Sequence, residues 1–422
     1  MPDRYFNSCT YWVSKVYIVG VGMTPFGKFL ERSIKDFARQ AVEAALADAG
    51  ASKADVQAAF FANATQSPLE GQHMVGGQIA LRDMGFERLP VFNIENACAS
   101  SSSALNLAYA YVRGGLADVA LAVGAEKMYG SDREKTFSVF NGAWDVHTVD
   151  ATVSRLEEIG RDVPEPAAAA QGGERSVFMD VYAALAKLHM KTFGSTQRDL
   201  AAVSSKNHNH SVHNPLSQYR KPMSVDEVLA ARPISWPLTL PMCSPVSDGA
   251  AAALLVSEAG MKRFARNRAI EIRASVVRSG VQRAPQDYRN HICRLAALQA
   301  YEAAGVGPEE VGVAEVHDAS AFAELLQTEL LGFCEFGEGG RFAQSGASSL
   351  GGRLPVNPSG GLESKGHPIG ATGLGQVYEL VMQLRGEAGA RQVEGARVAL
   401  AENGGGFYGY EEAVACVTIL GK

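Results

Sequence analysis

The sequence predicts an α/β fold made of two similar halves, and two observations support this prediction. Strand-like apolar segments alternate with helix-like segments along the chain. In addition, residues 35–64 align without a gap on residues 290–319, which places Gly50 on Gly305. Each glycine follows a helical pattern and precedes an apolar strand, as a helix C-cap does. Any α/β protein repeats a helix–turn–strand unit, so this match alone leaves chance repetition as an alternative.

A second correspondence favours duplication of the whole unit. The helix-then-strand pattern of residues 105–125 recurs in residues 376–404, with a longer connection in the second copy. Both halves also begin with a β-rich segment, residues 16–27 in the first and 269–277 in the second. Because the units occur in the same order, we expect two related α/β halves, each with a parallel or mixed sheet covered by helices.

Length and composition limit the class of protein. The chain has 422 residues and 44.8 kDa, 46% apolar and 20% charged residues, and a formal net charge of −6. These values predict two or three globular units and argue against a disordered chain or a nucleic-acid-binding surface. No run approaches the ~20 apolar residues of a membrane span. The N-terminal residues 1–15 lack the apolar region of a signal peptide, so we expect a cytoplasmic protein without a membrane contact.

Residues 128–245 interrupt the two halves and predict an inserted loop domain over a site. We therefore expect the first half to comprise residues 1–127 and 246–265, and the second half residues 266–422. The insertion is rich in polar residues and proline and contains a histidine-rich stretch with His208, His210 and His213. No Cys or carboxylate stands at a supporting spacing, so we interpret this stretch as a solvated polar turn and predict no metal.

Cys98 is the first candidate functional residue. The six cysteines form no C-x-x-C pair, so neither a zinc site nor a disulfide framework is predicted. Cys98 stands before a run of small residues and a helical pattern, which places it at a helix N-terminus. The free N–H groups and the dipole of that terminus favour a thiolate, which could act as a nucleophile. A buried structural cysteine is the alternative.

His367 is the second candidate, in the glycine-rich residues 354–380. Six glycines in this loop suggest a backbone that a ligand approaches closely, and Pro368 stiffens the chain beside the histidine. A neutral imidazole within reach of Cys98 could accept its proton. A phosphate-binding loop is the rival interpretation, but neither G-x-x-x-x-G-K-[ST] nor a strand-linked G-x-G-x-x-G occurs here.

His317 and Glu402 are further candidates because each follows or ends an apolar strand. The carboxyl ends of strands are where α/β sheets usually place functional groups. A single such residue is usually a solvated strand end. The two halves, however, would bring Cys98, His317, His367 and Glu402 toward one crevice.

Five motifs resemble the thiolase superfamily, particularly the branch similar to sterol-carrier-protein-type thiolases. In chain order they are NACASSSSALNLA, SDGAAAALL, VHDAS, NPSGGLESKGHPIGATG and NGGG. The resemblance covers residues 16–420 and implies a thiolase fold, with two halves in a five-layered α/β/α/β/α core and an inserted loop domain. It also implies a homodimer or a dimer of dimers. Coenzyme A would be a substrate, and no cofactor would be permanently bound.

The resemblance also implies roles for individual residues. Cys98 would carry the acyl group as a thioester, and His367 would activate Cys98 and help to hold the thioester oxygen. His317 would contribute to one oxyanion hole, and the backbone N–H groups of Gly404 and Cys98 would form another. More weakly implied contacts to coenzyme A fall on Ser244, Arg220 and Lys221.

The chain departs from the thiolase pattern at the second catalytic cysteine. Thiolases place this acid/base in a C-x-G motif or an H-D-C-F motif, and here the two positions are Glu402 and Ala319. We favour Glu402 as the replacement for the thiol, because it falls on the matching position and burial could raise the pKa of its carboxyl group. Otherwise His317 takes over, or the step at the α-carbon is absent. A carboxylate that only binds backbone is a further alternative.

The leading hypothesis is a thiolase-type acyltransferase that cleaves or forms a 3-oxoacyl-CoA through a thioester on Cys98. The alternatives are acyl transfer without carbon–carbon chemistry, an aldolase-like relative, and a non-catalytic subunit. The resemblance further implies a small partner protein with a zinc ribbon and an OB-fold. Aromatic residues in the insertion permit a bulky or aryl acyl chain: Phe137, Phe140, Trp144 and Phe178.

Overall fold

A computed structural model describes residues 14–166 and 175–422 of the chain, and Cys9 lies outside these ranges. The helices α1 to α14 span Ile34–Ala49, Gln66–Glu70, Gly76–Arg82, Ser100–Arg113, Arg133–Ser138, Val149–Gly160, Val177–Phe193, Gln197–Ser211, Val225–Leu229, Ile292–Ala304, Ala321–Leu330, Gly339–Gln344, Gly361–Lys365 and Thr372–Arg385. The strands β1 to β11 span Val16–Met23, Ala58–Ala62, Val91–Ile94, Val119–Glu126, Pro233–Ser235, Leu238–Thr239, Gly249–Ser257, Ile270–Ser279, Val313–Glu315, Val398–Gly405 and Val414–Gly421.

The repeated unit forms the same structure in both halves. Helix α1 ends at Gly50 and helix α10 ends at Gly305, and both glycines have a φ of 65°. This left-handed conformation is the one that favours glycine at a helix C-cap. A short connection leads from α1 to β2 and from α10 to β9. The predicted correspondence of residues 35–64 and 290–319 is therefore confirmed.

Nine strands form the main sheet in the order β3-β2-β4-β7-β1-β8-β11-β10-β9. Strand β2 pairs in parallel with β3 and β4, β9 pairs in parallel with β10, and the other pairs are antiparallel. The first five strands belong to the first half of the chain, to which β7 returns after the insertion. Two residue pairs join β1 to β8, Tyr17 with Glu271 and Ile18 with Ile270. The halves thus meet through a short pairing between their edge strands.

Helices cover both faces of each half. Helices α1 and α3 pack on one face of the first half, and α10 and α11 pack on the outer face of the second. Helices α4 and α14 contact each other and pack between the two halves. Their apolar residues, such as Leu105 and Leu380, are fully buried there. Burial of this kind stabilises the fold by roughly 1.5–3 kcal/mol for each large side chain. The result is the α/β/α/β/α layering that the thiolase resemblance implies.

The histidine-rich stretch is helical and buried, so the prediction of a solvated polar turn is wrong. Helix α8 contains His208 and His210, which are only 5% and 4% exposed. The ring of His210 donates to the carbonyl of Asn357 and accepts the N–H of Leu350, both at 3.0 Å. The helix packs against α11, α12 and α13, and this packing buries residues whose composition suggested a surface.

Among residues 14–166 and 175–422, no helix combines the length and the apolar character that crossing a bilayer requires. The cytoplasmic location stays a prediction.

Candidate active site

Cys98 lies on a strained turn between β3 and α4. A short 3-10 helix spans Ala97–Ala99, and Ala97 has a left-handed backbone with a φ of 48°. The hydroxyl of Ser100 donates to the Ala97 carbonyl at 2.6 Å and so holds the turn. Gly405 of β10 packs directly against it, since a Cβ atom there would lie 2.3 Å from the carbonyl oxygen of Asn96. The end of β10 thus sets the position of the sulfur.

His367 faces Cys98 with the nitrogen that can accept a proton. Its Nε2 atom lies 3.2 Å from the Sγ atom of Cys98, and its Nδ1 atom lies 2.7 Å from the hydroxyl of Thr372. That hydroxyl donates its own proton to the carbonyl of Pro368 at 3.0 Å, so it accepts from Nδ1. Nδ1 therefore carries the ring proton and Nε2 presents its lone pair to the thiol.

Burial keeps both members of this pair neutral. Burial, and to a lesser extent the carboxylate of Glu126, raises the pKa of Cys98 to about 12. Burial and the neighbouring His317 ring hold the pKa of His367 well below its ordinary value. The predicted thiolate at the helix N-terminus is therefore wrong, because loss of hydration outweighs the dipole of the helix. The thiol needs His367 as a base at the moment of attack.

His317 completes a group of three side chains. Its ring stands edge-on to the ring of His367, with centroids 5.3 Å apart. The side chain is 2% exposed, and within the described part of the chain neither ring nitrogen has a hydrogen-bond partner. Burial lowers the pKa of His317 to about 4, so the ring is neutral. A buried, neutral and unpaired imidazole beside Cys98 can donate to a ligand oxygen or accept a proton from a ligand.

Glu402 lies behind His317. Its Oε2 atom accepts the backbone N–H of His317 at 3.0 Å, and its Oε1 atom accepts the thiol of Cys293 at 3.5 Å. Burial, followed by the charge of Glu412, raises the pKa of Glu402 to about 8. Among the described residues, Glu402 is not one of those that line the cavity at Cys98. Its carboxyl group therefore acts on the backbone that positions His317.

A cavity of about 1060 Å³ opens at this group. Its lining includes Cys98, His317, His367 and also Ala319, one of the two positions where thiolases carry a second cysteine. Three predicted aromatic residues line it as well: Phe137, Phe140 and Phe178. Trp144 instead packs in a buried apolar cluster with Leu156 and with Phe407, which follows β10.

Only some of the residues that were predicted to contact coenzyme A lie at this cavity. Ser244 and Lys221 line it, and so does Arg232, which the sequence analysis missed. Arg220 is exposed, donates to the carbonyl of Val212 at 3.3 Å, and is not among the described lining residues. Gly404 pairs with Ala415 on β11.

Two family models cover most of the chain. A model described as "Thiolase, N-terminal domain" matches residues 16–259, and "Thiolase C-terminal domain-like" matches residues 276–422. The chain belongs to the thiolase family. The sequence-based assignment to this family and the predicted thiolase fold are both confirmed.

Curated relatives of this thiolase cover nearly its whole length. The chain is 37% identical to sterol carrier protein 2 of Bos taurus over 92% of its length and 70% of that protein. It is 36% identical to an acetyl-CoA acetyltransferase of Methanothermobacter thermautotrophicus, covering 93% and 97% of the two chains. It is 37% identical to the benzoylsuccinyl-CoA thiolase subunit BbsB of Thauera aromatica, covering 93% and 95%. These relatives support acyltransferase activity in general terms.

Two solved structures share the fold. One is the Ltp2-ChsH2(DUF35) aldolase, with a TM-score of 0.76 and 25% identity over 96% of this chain and 97% of the other. The human mitochondrial 3-ketoacyl-CoA thiolase has a TM-score of 0.68 and 18% identity over 97% and 99% of the chains.

A second polar group of this thiolase lies outside the cavity, where His291, Cys293 and Glu412 place potential metal-ligand atoms within 4.8 Å of one another. The Nδ1 atom of His291 accepts the backbone N–H of Cys293 at 3.2 Å, so the neutral ring carries its proton on Nε2. Burial lowers the pKa of this histidine well below its ordinary value. Neither nitrogen then offers a free lone pair, and the group suits a hydrogen-bond network better than a metal.

Thr372, Gly405 and Glu363 are functional candidates that the sequence patterns did not single out. Thr372 fixes the tautomer of His367, and Gly405 contacts the Cys98 turn. Both fall inside motifs that were noticed for other residues, the glycine-rich loop and the terminal NGGG. Glu363 lines the cavity from the short helix α13. The sequence signal that could have revealed Glu363 is an acidic residue flanked by apolar and glycine positions.

Proposed function

We propose that the chain is a CoA-dependent thiolase that cleaves or forms a 3-oxoacyl-CoA through a thioester on Cys98. The observation that supports this most is the 3.2 Å approach of the His367 Nε2 lone pair to the Cys98 thiol, at the wall of a large cavity. Nucleophile, base and an orienting third group are thus present together, as covalent catalysis requires.

In the cleavage direction, the Cys98 sulfur attacks the 3-oxo carbon while His367 takes the thiol proton. The bond between C2 and C3 then breaks, its electron pair passes to C2, and C2 takes a proton as acetyl-CoA leaves. The thiol of a second coenzyme A attacks the thioester, and its proton is transferred to Cys98. The backbone N–H groups of Gly404 and Cys98, and the rings of His317 and His367, would stabilise the oxyanions, with about 3 kcal/mol for each well-placed donor.

We propose that His317 passes to C2 the proton that His367 took from Cys98, so that both rings end neutral, and we treat Glu402 as the residue that positions His317. His317 has unpaired ring nitrogens within the same group as Cys98 and His367. Glu402 binds the backbone behind that ring. Either ring nitrogen of His317 could transfer this proton. In a thiolase with two cysteines, the second thiol would do so.

The substrate in this proposal carries a bulky or aromatic acyl chain. Phe137, Phe140 and Phe178 line the cavity, and the ring centroids of Phe140 and Phe178 are 6.4 Å apart. A relative named for benzoylsuccinyl-CoA is consistent with this class. Ser244 and Lys221 are proposed to contact coenzyme A, with Arg220 closer to the solvent.

Assembly is part of the proposal as well. We propose a homodimer or a dimer of dimers, with a small zinc-ribbon and OB-fold protein as a further subunit. The similarity to the Ltp2-ChsH2(DUF35) aldolase supports such a partner. The same similarity makes aldolase-type cleavage the second candidate function, in which no acyl group is transferred to coenzyme A.

Thiolysis of an aromatic 3-oxoacyl-CoA tests the proposal. The wild type should consume coenzyme A and release two acyl-CoA products, Cys98→Ala should release neither, and Cys334→Ala should retain activity, since Cys334 is not among the described residues at the cavity. Cleavage that needs no coenzyme A would favour the aldolase. Full thiolysis by Cys98→Ala, or no turnover by the wild type with and without a partner, would contradict the proposal.

A further inference from the structure

Glu363 presents an unpaired carboxyl oxygen at the wall of the cavity. It lies on α13, four residues before His367, and its side chain is fully buried. It lines the same cavity as Cys98, His317 and His367. Across the two described ranges of the chain, its Oε2 atom has no hydrogen-bond partner. A buried carboxyl group in this state is costly unless it serves a ligand or keeps a proton.

Three carboxyl groups and one lysine share this buried region. Glu363, Asp318 and Glu324 each contact the side-chain amide of Asn207, and all three are at most 1% exposed. Among the described residues, the cation that contacts this group is Lys206, whose Nζ atom lies 2.8 Å from Glu324. One positive charge cannot balance three buried negative charges, so at least one carboxyl group holds a proton at neutral pH.

Hydrogen bonds decide which group is protonated. Glu324 has Lys206 and also accepts the amide of Asn357 at 2.7 Å. Asp318 accepts the backbone N–H of Leu362 at 2.7 Å and the amide of Asn207 at 3.0 Å. Glu324 therefore has a cation as its partner, and Asp318 accepts two hydrogen bonds of ordinary length.

Glu363 receives much weaker support for a negative charge. It accepts one long hydrogen bond from Asn207, at 3.3 Å. The hydroxyl of Ser204 lies against it but donates its proton to the carbonyl of Pro241 at 2.8 Å. Burial and the charge of Asp318 raise the pKa of Glu363 well above its ordinary value, and burial raises that of Asp318 too. Of the three carboxyl groups, Glu363 thus has the weakest hydrogen-bonding support for a negative charge, and the proton is placed on Glu363.

We propose that Glu363 keeps its proton in the cavity and donates it in a hydrogen bond to a neutral oxygen on the acyl chain of the substrate. This inference rests on the proposed function. The oxygens of the thioester and the 3-oxo group are assigned to the donors around Cys98, so the acceptor is a further keto, ester, amide or hydroxyl oxygen. An anionic acceptor is disfavoured, because Asp318 and Glu324 already place negative charge nearby.

Two variants distinguish the effect of the hydrogen-bond donor from the effect of side-chain shape. Glu363→Gln keeps a donor of similar size, and Glu363→Leu keeps the volume without a donor. The probes are pairs of 3-oxoacyl-CoA esters of equal length, one with a further keto group at a chosen chain position and one with a methylene group there. At the matching position the wild type should prefer the keto ester by about tenfold in kcat/KM, the usual effect of one hydrogen bond.

Glu363→Leu should lose this preference and Glu363→Gln should keep it within about threefold. A preference that is unchanged in Glu363→Leu, or absent from the wild type at every chain position, would overturn the inference. The same comparison, made as dissociation constants on a Cys98→Ala background, needs no turnover. It therefore tests Glu363 even if the proposed reaction is wrong.

Infrared spectroscopy provides a second readout that does not depend on activity. The difference spectrum between the wild type and Glu363→Gln at pH 7 should contain the C=O stretch of a protonated carboxylic acid. Binding of the preferred keto ester should shift that band. A spectrum with only the carboxylate bands of an ionised Glu363 would overturn the inference, whatever the outcome of the kinetic test.

Discussion

The Nδ1 atom of His367 lies 2.7 Å from the hydroxyl of Thr372, which itself donates to the Pro368 carbonyl. Thr372 is the first residue of α14, and Pro368 belongs to the same loop as the histidine. The loop therefore fixes both the orientation and the tautomer of the ring through its own residues. This is what leaves the Nε2 lone pair facing Cys98.

Thr372→Val should slow acylation of Cys98 while leaving the fold intact. Valine fills the same volume but cannot accept from Nδ1, so the ring loses its preferred tautomer and orientation. We expect about a tenfold or greater loss in the acylation rate, in line with the loss of a positioned hydrogen bond. Single-turnover kinetics with an acyl-CoA measures it. The matched control is Thr192→Val, because the hydroxyl of Thr192 donates to the Leu188 carbonyl within α7. Equal rates in both variants would argue against the role of Thr372.

The acylation rate should be nearly independent of pH between about 7 and 9. His367, with its pKa well below the ordinary value, is already neutral there, and Cys98, with a pKa raised to about 12, is still protonated. The reactive neutral pair therefore keeps the same population across the range. A free thiolate nucleophile would gain about tenfold for each pH unit below its pKa. Glutathione with the same acyl-CoA serves as the chemical control, and an enzyme profile that rises in parallel with it would contradict the neutral pair.

Glu402→Gln should stabilise the protein more at pH 8 than at pH 5. Burial raises the pKa of Glu402 from an ordinary value of about 4.5 to about 8 on folding. Between these values the unfolded state loses the proton and the folded state retains it, so this group lowers the stability as the pH rises, by up to about 5 kcal/mol. Glutamine removes that dependence. Thermal unfolding at both pH values measures this effect, and the exposed Glu309→Gln is the control. The gain in Tm over the wild type should grow with pH for Glu402→Gln and not for Glu309→Gln. A gain in Tm for Glu402→Gln that is the same at both pH values would rule out the raised pKa.

Local signals in the sequence predicted the elements and their order. Gly50 and Gly305 end their helices by a local backbone requirement, so the duplication could be found from spacing alone. The placement of Cys98 before a helix and of His367 in a stiff loop depends on equally local features. The contact between them depends on the two halves packing together, and the duplication of the halves supplied that expectation without the thiolase resemblance.

The failures share a cause in tertiary packing. The direction of the pKa shift at Cys98 depends on how far the folded chain excludes water from the thiol. The position of Cys98 at a helix N-terminus does not by itself determine that direction. The burial of His208 follows from neighbours far away in sequence. Glu402 was expected to end a strand, but it lies inside β10, which continues to Gly405, and it is not among the described residues that line the cavity. Successive side chains of a strand point to opposite faces, so the face of Glu402 cannot be assigned without the partner strands.

The central claim is that Cys98 carries an acyl group, and mass spectrometry of the intact and digested protein tests it most directly. After brief exposure of the wild type to a short acyl-CoA, the mass should rise by one acyl group, located on the peptide that contains Cys98, and Cys98→Ala should show no such rise. Cys243 also lines the cavity and serves as an internal comparison. An unmodified Cys98, or an acyl group found on Cys243 instead, would contradict the account.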